Sequence, residues 1–361
     1  MTLFIIALAA IVALIIAITW FASMKYGAPD LTSYDSPLPP LQRSDADISD
    51  EHQRTIDDLA RYQSSRADTS VKDARARFEE FFSRDIDVPI RQVDVDGVPG
   101  EWVAPEGCDP YNRILYIHGG AFVLGSPKSH RYITAELARR TGASVLAIDY
   151  RMQPEVKTFT CHEDVRTAYR WILDNGPEGP TPSESLFVAG DSAGGNLALA
   201  VIAWARDNRL RAADGAIAFA PLTDATMSSP TWATNLSTDH FLRPSIGRIL
   251  KIPRAIRLLG SRYQMAKAPN DPEISPLLGH LGSLPPTMIQ VSRDEMLFGD
   301  AVRYANKSAK EGGRVTLQVW PKLVHVFQGF DYLPESSEAF DLVAEFVRNI
   351  IKRKLAQTRI G

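Results

Sequence analysis

At 361 residues, with 45% hydrophobic and 23% charged residues, the chain can bury a sizeable core, as one large α/β domain with accessory pieces or as two ordinary domains. Forty Lys and Arg against 43 Asp and Glu leave a formal charge of −3, which gives no basic footprint for nucleic acid. The two cysteines, Cys108 and Cys161, have neither the number nor the spacing of a zinc site or a disulfide framework, and read as free thiols.

The first residues depart from this average. Leu3 to Ala22 is uncharged throughout, and at 1.5 Å per residue a helix of that length matches the roughly 30 Å hydrocarbon core of a bilayer. Trp20 sits at its end, where interfacial aromatics collect. The stretch is longer than the h-region of a secretory signal, and no Lys or Arg precedes it. An uncleaved single-pass anchor over residues 1–24 is therefore expected in preference to a cleaved leader, with residues 3–22 in the membrane. Charges around it do not specify its orientation.

Gly27 to Pro40 combines four prolines with small and polar residues and reads as an extended tether, here bounded as 25–48. Two helical patterns follow between Ser49 and Phe82, bounded as a 49–83 cap, one with Ile56, Leu59 and Tyr62, the other ending in Phe78, Phe81 and Phe82. The remainder, 84–361, reads as a catalytic domain. It opens with period-two alternation around Asp96-Gly97, a two-strand hairpin signal. Short apolar runs at Ile114–Ile117, Ser144–Ile148, Leu186–Ala189, Ala216–Ala220, Met288–Val291 and Val315–Val319 then alternate with amphipathic helices such as Glu163–Leu173 and Ala301–Lys310. That order predicts a mainly parallel sheet with helices on both faces. It breaks once, at about 225–275, where polar turns and a helical piece at Pro244–Met265 suggest a cap insertion.

Within Leu186–Leu197 an apolar strand runs into Gly190-Asp191-Ser192-Ala193-Gly194 and then an apolar helix. A nucleophile at a strand-to-helix corner needs glycines two positions either side, because larger residues clash there. Ser192 is the expected nucleophile; a helix N-cap is the plainer role open to such a serine. Upstream, Ile114–Ile117 ends in His118-Gly119-Gly120-Ala121, whose backbone N–H groups, joined by that of Ala193, can form an oxyanion hole. His118 is expected to orient this loop. The base is expected at His325, in a loop after the last strand; the other histidines considered, His162, His240 and His280, lie elsewhere. Asp294, at the C-terminal end of a strand, is the first choice for the acid, with Glu295 and Asp300 as rivals.

Taken together, these residues resemble the hormone-sensitive-lipase-like branch of the α/β-hydrolases, which includes bacterial esterases and membrane-anchored arylacetamide deacetylases. The likeness runs from roughly Tyr111 to Phe330. It includes His118-Gly119-Gly120, Asp149-Tyr150-Arg151 with Pro154-Glu155, Glu163-Asp164 before Trp171, Gly190–Gly195, Leu284-Pro285-Pro286, Asp294-Glu295 and His325-Val326-Phe327. The resemblance implies an α/β-hydrolase fold with a helical cap, Ser192 as nucleophile, Asp294 as acid, His325 as base, and donors from Gly119, Gly120, Ala121 and Ala193. It departs from the family at Ala121, where a third glycine is usual, the N–H is kept and a methyl group enters the acyl pocket and excludes bulky alcohols, and at Phe159-Thr160, where Phe-Pro is usual.

The expected function is a membrane-anchored serine carboxylesterase acting through an acyl-enzyme on a small-molecule or lipid-like ester, with no metal or organic cofactor. Amide hydrolysis (a deacetylase) or acyl transfer would use the same residues. A non-catalytic receptor or scaffold would not need His325.

Overall fold

In the computed structural model, residues 2–44, 49–65 and 70–358 are described, without the side chains of residues 2, 3, 5–9, 11, 12, 14, 15 and 358. In chain order the elements are α1 (Thr2–Tyr26), α2 (Glu51–Ser64), α3 (Val71–Phe82), β1 (Ile90–Val95), β2 (Val98–Val103), β3 (Asp109–Ile117), α4 (Arg131–Thr141), β4 (Ala143–Ile148), α5 (Thr158–Asp174) and β5 (Ser185–Asp191). They continue as α6 (Ser192–Asp207), β6 (Gly215–Phe219), α7 (Thr231–Thr234), α8 (Arg243–Leu250), α9 (Arg254–Met265), β7 (Thr287–Ser292), α10 (Phe298–Lys310), β8 (Val315–Trp320) and α11 (Pro334–Thr358).

These eight strands form one sheet in the order β1-β2-β4-β3-β5-β6-β7-β8, and Asn175–Gly176 pairs with Gly179–Pro180 in a separate two-stranded ribbon. β1 pairs antiparallel with β2, and β2 with β4, while every later pairing is parallel. The hairpin turns at Asp96-Gly97, both at positive φ (50° and 88°), which is why a glycine stands there. Side chains alternate across each strand, and the sequence supplies apolar residues for both faces. Leu115 and Ile117 join Leu146 and Ile148 against α5 and α6, whereas Ile114 and Tyr116 join Val145 and Ala147 against α4 and α11. Because β3 lies between β4 and β5, the winding reverses there, and ligand sites gather at the carboxyl ends of strands at such a switch point. His118 and Ser192 follow those two ends.

Helices from two parts of the chain cover this edge. α2 and α3 lie over the carboxyl edge; Arg75 on α3 donates to the carbonyls of Val123 (2.8 Å) and Gln153 (2.7 Å), and Phe82 packs against Phe330 and Phe241. The insertion differs in detail: its helical piece is two helices, α8 and α9, interrupted at Lys251–Pro253, where proline removes a helix-bonding N–H. Gln63 of α2 donates to the carbonyl of His240 (2.7 Å), joining the two halves.

The stretch read as an extended tether is docked along the domain. Leu31 is buried in the core, Asn306 donates to the carbonyls of Tyr34 (2.9 Å) and Pro37 (3.1 Å), and Leu41 bridges to Val319. Arg303, almost wholly buried, donates to both carboxylate oxygens of Asp35 (2.6 and 3.2 Å) and to Ser228 Oγ (3.0 Å). The prolines stiffen a strap that has partners along the domain; composition showed the stiffness but not the partners. Among the described residues no helix is long and apolar enough to cross a membrane. Much of the apolar span expected at 3–22 falls on side chains outside those described.

Replacing Asp35 by alanine would strand the buried Arg303 guanidinium. Asp35→Ala is expected to cost about 1–3 kcal/mol in urea unfolding and to make residues 27–43 a preferred site of limited proteolysis. An unchanged midpoint together with an unchanged cleavage pattern would show that the strap is not held by this pair.

Candidate active site

Ser192 sits where β5 turns into α6, at φ 53°, an uncommon conformation for a side chain other than glycine. The flanking glycines make the corner possible. A Cβ on Gly190 would lie 2.5 Å from the carbonyl oxygen of Gly194 and 2.7 Å from that of Ile117, and one on Gly194 would run into the carbonyls of Ile117 and His118. The clash anticipated from the sequence is therefore with backbone, which cannot step aside. Ser192 Oγ lies 2.9 Å from His325 Nε2.

His325 is buried in the turn after β8, and its ring stacks on Phe241 of the insertion at 5.7 Å between centroids. Its Nδ1 lies 3.1 Å from Glu295 Oε1, both side chains being about 1% exposed. Burial pulls the imidazole pKa down, but the charge and hydrogen bond of Glu295, helped by Asp239 and Asp191, outweigh it and leave the pKa raised. The carboxyl of Glu295 is itself shifted upward, by burial against the opposing pull of His325.

The acid position is thus a correction. Asp294, expected beside the histidine, is turned away: its carboxylate accepts the Lys322 N–H (2.6 Å), lies 3.6 Å from Arg293 Nε, and is 24% exposed. Beyond the strand end at Ser292 the chain turns, and one residue separates a side chain aimed at the base from one aimed at the next loop. Glu295 also accepts the N–H of Ser292 (3.3 Å), which closes the turn around it. Asp300, the other rival, braces the start of the insertion by accepting the N–H groups of Thr223 and Asp224 (3.0 Å each) and Nε1–H of Trp232 (3.2 Å). Burial and the neighbouring Asp224 push its pKa up to about 8.

The loop after β3 is built for close backbone approach. Gly120, Ala121 and Phe122 all have positive φ (110°, 56° and 62°), and Gly120 and Ala121 line the same cavity as Ser192 and His325. Ala193, second residue of α6, has an N–H with no carbonyl four residues back in its helix. Gly119 does not join these donors: its N–H is taken by Asp191 Oδ1 at 2.9 Å. Asp191 is the residue that sequence reasoning missed. It is buried, accepts the Tyr116 hydroxyl (2.6 Å) and lies 3.4 Å from His130 Nε2, so one carboxylate ties the oxyanion loop to the residue before the nucleophile. Burial would raise its pKa, but His130 and Tyr116 hold it below the usual carboxylate value. An acid inside an apolar strand was the visible signal; nothing marked His130. His118 donates from Nδ1 to the Gly119 carbonyl (2.8 Å), and burial followed by the nearby His130 lowers its pKa to about 3. It orients the loop as a neutral ring.

The insertion also reaches the acid loop. Asn235 Nδ2 donates to the carbonyls of Arg293 (2.8 Å) and Glu295 (2.9 Å), Thr238 Oγ1 donates to that of Asp294 (2.8 Å), and Asp239 accepts the Met296 N–H (2.9 Å). Above the reacting groups lies a cavity of about 170 Å³, walled by Phe78 and Phe82 of α3 and by Leu242 and Ile246 of the insertion.

A parallel sheet carrying a serine, a histidine and a buried carboxylate in that contact order, with free amides at a loop and a helix start, defines a serine hydrolase. The chain belongs to the family described as alpha/beta hydrolase fold, which matches residues 114–329, and within it to the hormone-sensitive-lipase-like branch of carboxylic ester hydrolases. It is 34% identical to an acetyl-hydrolase of Streptomyces hygroscopicus over 71% of this chain and 81% of that one. An esterase of Acinetobacter venetianus is 30% identical over 74% of this chain and 85% of its own. The crystal structure of an esterase from the bacterial hormone-sensitive lipase family superposes with a TM-score of 0.74 at 31% identity, covering 84% of this chain and 99% of that one.

Glu295→Gln should lower kcat by about 10³–10⁴-fold, the loss seen when a triad carboxylate is made an amide, while Asp294→Asn should cost less than about tenfold. The sign of the pH effect follows from the base. His325 must be neutral to accept a proton, Glu295 raises its pKa, and removing that charge leaves burial to lower it. The acid limb of kcat/KM should therefore move to lower pH in Glu295→Gln. The reverse order of losses would return the role to Asp294.

Proposed function

We propose that this protein is a membrane-anchored serine carboxylesterase that cleaves acyl esters through a Ser192–His325–Glu295 triad. The observation that carries the reading is the unbroken contact from Ser192 Oγ to His325 Nε2 (2.9 Å) and from His325 Nδ1 to Glu295 Oε1 (3.1 Å). Ser192 Oγ attacks the ester carbonyl as His325 takes its proton. Glu295 holds the imidazole in the tautomer that can accept at Nε2 and stabilises the cation that forms. Negative charge developing on the carbonyl oxygen falls to the amides of Gly120, Ala121 and Ala193, each such donor being worth on the order of 10²–10³ in turnover. His325 then protonates the leaving alcohol, and the acyl-enzyme on Ser192 is hydrolysed by water that the same ring deprotonates.

The relative named acetyl-hydrolase favours a short acyl group. Anchoring is read from the uncharged run Leu3–Ala22, and the exposed side chains of Phe4, Ile16, Trp20, Phe21 and Met24 on α1 favour it, since they need apolar cover.

Ser192→Ala should abolish hydrolysis of p-nitrophenyl acetate and labelling by a fluorophosphonate while leaving the thermal midpoint near that of the parent. Losses on the order of 10⁶ accompany removal of such a nucleophile, so retention of more than about one per cent of activity would reject the assignment. The intact chain should remain with membranes through high salt and alkaline carbonate, because a spanning helix of about twenty apolar residues does not depend on surface charge. A chain released by carbonate would remove the anchor and leave the triad standing.

A further inference from the structure

The insertion carries an unusual charge pattern. From Arg243 to Lys267 there are seven Lys and Arg, and between Asp239 and Asp271 there is no Asp or Glu at all. None of Arg248, Lys251 and Arg254 has a carboxylate within 4.0 Å among the described residues. The crowding is felt within the cluster, where burial and then Arg254 lower the pKa of Arg257. A chain of net charge −3 thus gathers uncompensated positive charge on one element pair.

The same face is apolar. Ile249 and Ile252 are 40% and 42% exposed, and Ile256 and Tyr263, seven residues apart on one stripe of α9, are 58% and 75% exposed. The opposite side of the insertion is satisfied: Ala255 and Leu258 are buried, and Ile246 and Leu250 pack against Trp232 and Met296. A surface with isoleucines and a tyrosine among unpaired cations suits the headgroup and upper acyl layer of an anionic bilayer, which solvates both. It suits a soluble polyanion less well, since that would leave the isoleucines in water.

Position supports the same occupant. α9 lies against the end of α1, with Arg254 Nη2 3.5 Å from where a Gly27 Cβ would stand, and Asn270 donates to the carbonyls of Lys25 (3.2 Å) and Gly27 (3.1 Å). The strap from Leu31 to Leu41 is fastened to the domain, so the catalytic unit cannot drift away on a free arm. Trp20, Phe21 and Met24, near the end of α1, are likewise exposed.

We propose that the basic and apolar face of α8 and α9 lies on the surface of an anionic phospholipid bilayer, turning the cap toward the membrane. The proposal rests on the anchoring of α1 above and adds the orientation of the enzyme and the source of its substrate. Because Leu242 and Ile246 of the same insertion wall the reactive cavity, esters dissolved in the membrane would enter from that side.

The test uses the full chain with Cys108→Ser, so that a fluorophore attached to Ile256→Cys, or to Glu106→Cys as a control, is the single accessible label. Proteoliposomes of phosphatidylcholine alone or with phosphatidylglycerol carry a nitroxide on the lipid headgroup. Flotation reports the anchor, circular dichroism the fold, and quenching the docking. The label at 256 should be quenched by the lipid nitroxide in phosphatidylglycerol vesicles, at least about threefold more than the label at 106, and Arg248→Glu with Lys251→Glu and Arg254→Glu should abolish that difference without preventing flotation. A chain that floats while position 256 is quenched only by aqueous iodide overturns the docking and spares the anchor. Failure to float with either vesicle overturns both. Quenching that instead follows protein concentration without lipid would assign the face to a second copy of the chain and reject the bilayer.

Discussion

Everything at this site depends on the corner at Ser192, where a strand has to become a helix within one residue. The turn is tight enough that the carbonyls of Ile117, His118 and Gly194 occupy the space any side chain at 190 or 194 would need. The strain of φ 53° at Ser192 is tolerated because β5 is held by neighbours on both sides and α6 packs on the sheet through an almost continuous apolar face. The hydroxyl is consequently presented at the edge of the sheet beside the start of a helix, in the cavity that Gly120 and Ala121 also line. Asp191 makes the arrangement cooperative, since its carboxylate binds the Gly119 amide and the Tyr116 hydroxyl from the residue next to the nucleophile.

Much of this was legible in the sequence because the signals were local. The parallel sheet followed from apolar runs alternating with helical periods; the hairpin followed from Asp96-Gly97; the tight strand-to-helix corner at Ser192 and the close-packed loop after β3 followed from their glycines. The acid was not legible at single-residue resolution. Asp294 and Glu295 are both carboxylates at the end of β7, and which one meets His325 depends on how the chain turns after Ser292, on a bond from Lys322 and on the clamp from the insertion. Gly119 escaped for a related reason: a motif shows that amides are available, but not that a buried carboxylate already occupies one.

The strap teaches the same lesson at larger scale. A run such as Gly27–Pro40 has the composition of a spacer, and a spacer it would be if Asp35, Tyr34 and Leu41 had nothing to meet. Their partners, Arg303, Asn306 and Val319, lie more than two hundred residues away, and nothing in the local pattern announces them. Proline-rich stiffness reduces the entropy lost on docking, so the same composition that suits a linker also suits a segment bound along a surface.

The clamp between the insertion and the acid loop limits how this enzyme can diversify. Asn235, Thr238 and Asp239 hold the backbone of residues 293–296, and Phe241 stacks on the His325 ring, so the first part of the cap is as much scaffold for the Ser192–His325–Glu295 contacts as wall of the cavity. The helices after it carry no such bonds to the acid loop among the described residues. The insertion is thus divided along the chain: a change at 235–241 has to keep the His325–Glu295 contact, whereas 243–265 answer to the cavity they wall and to the exposed basic and apolar face they carry.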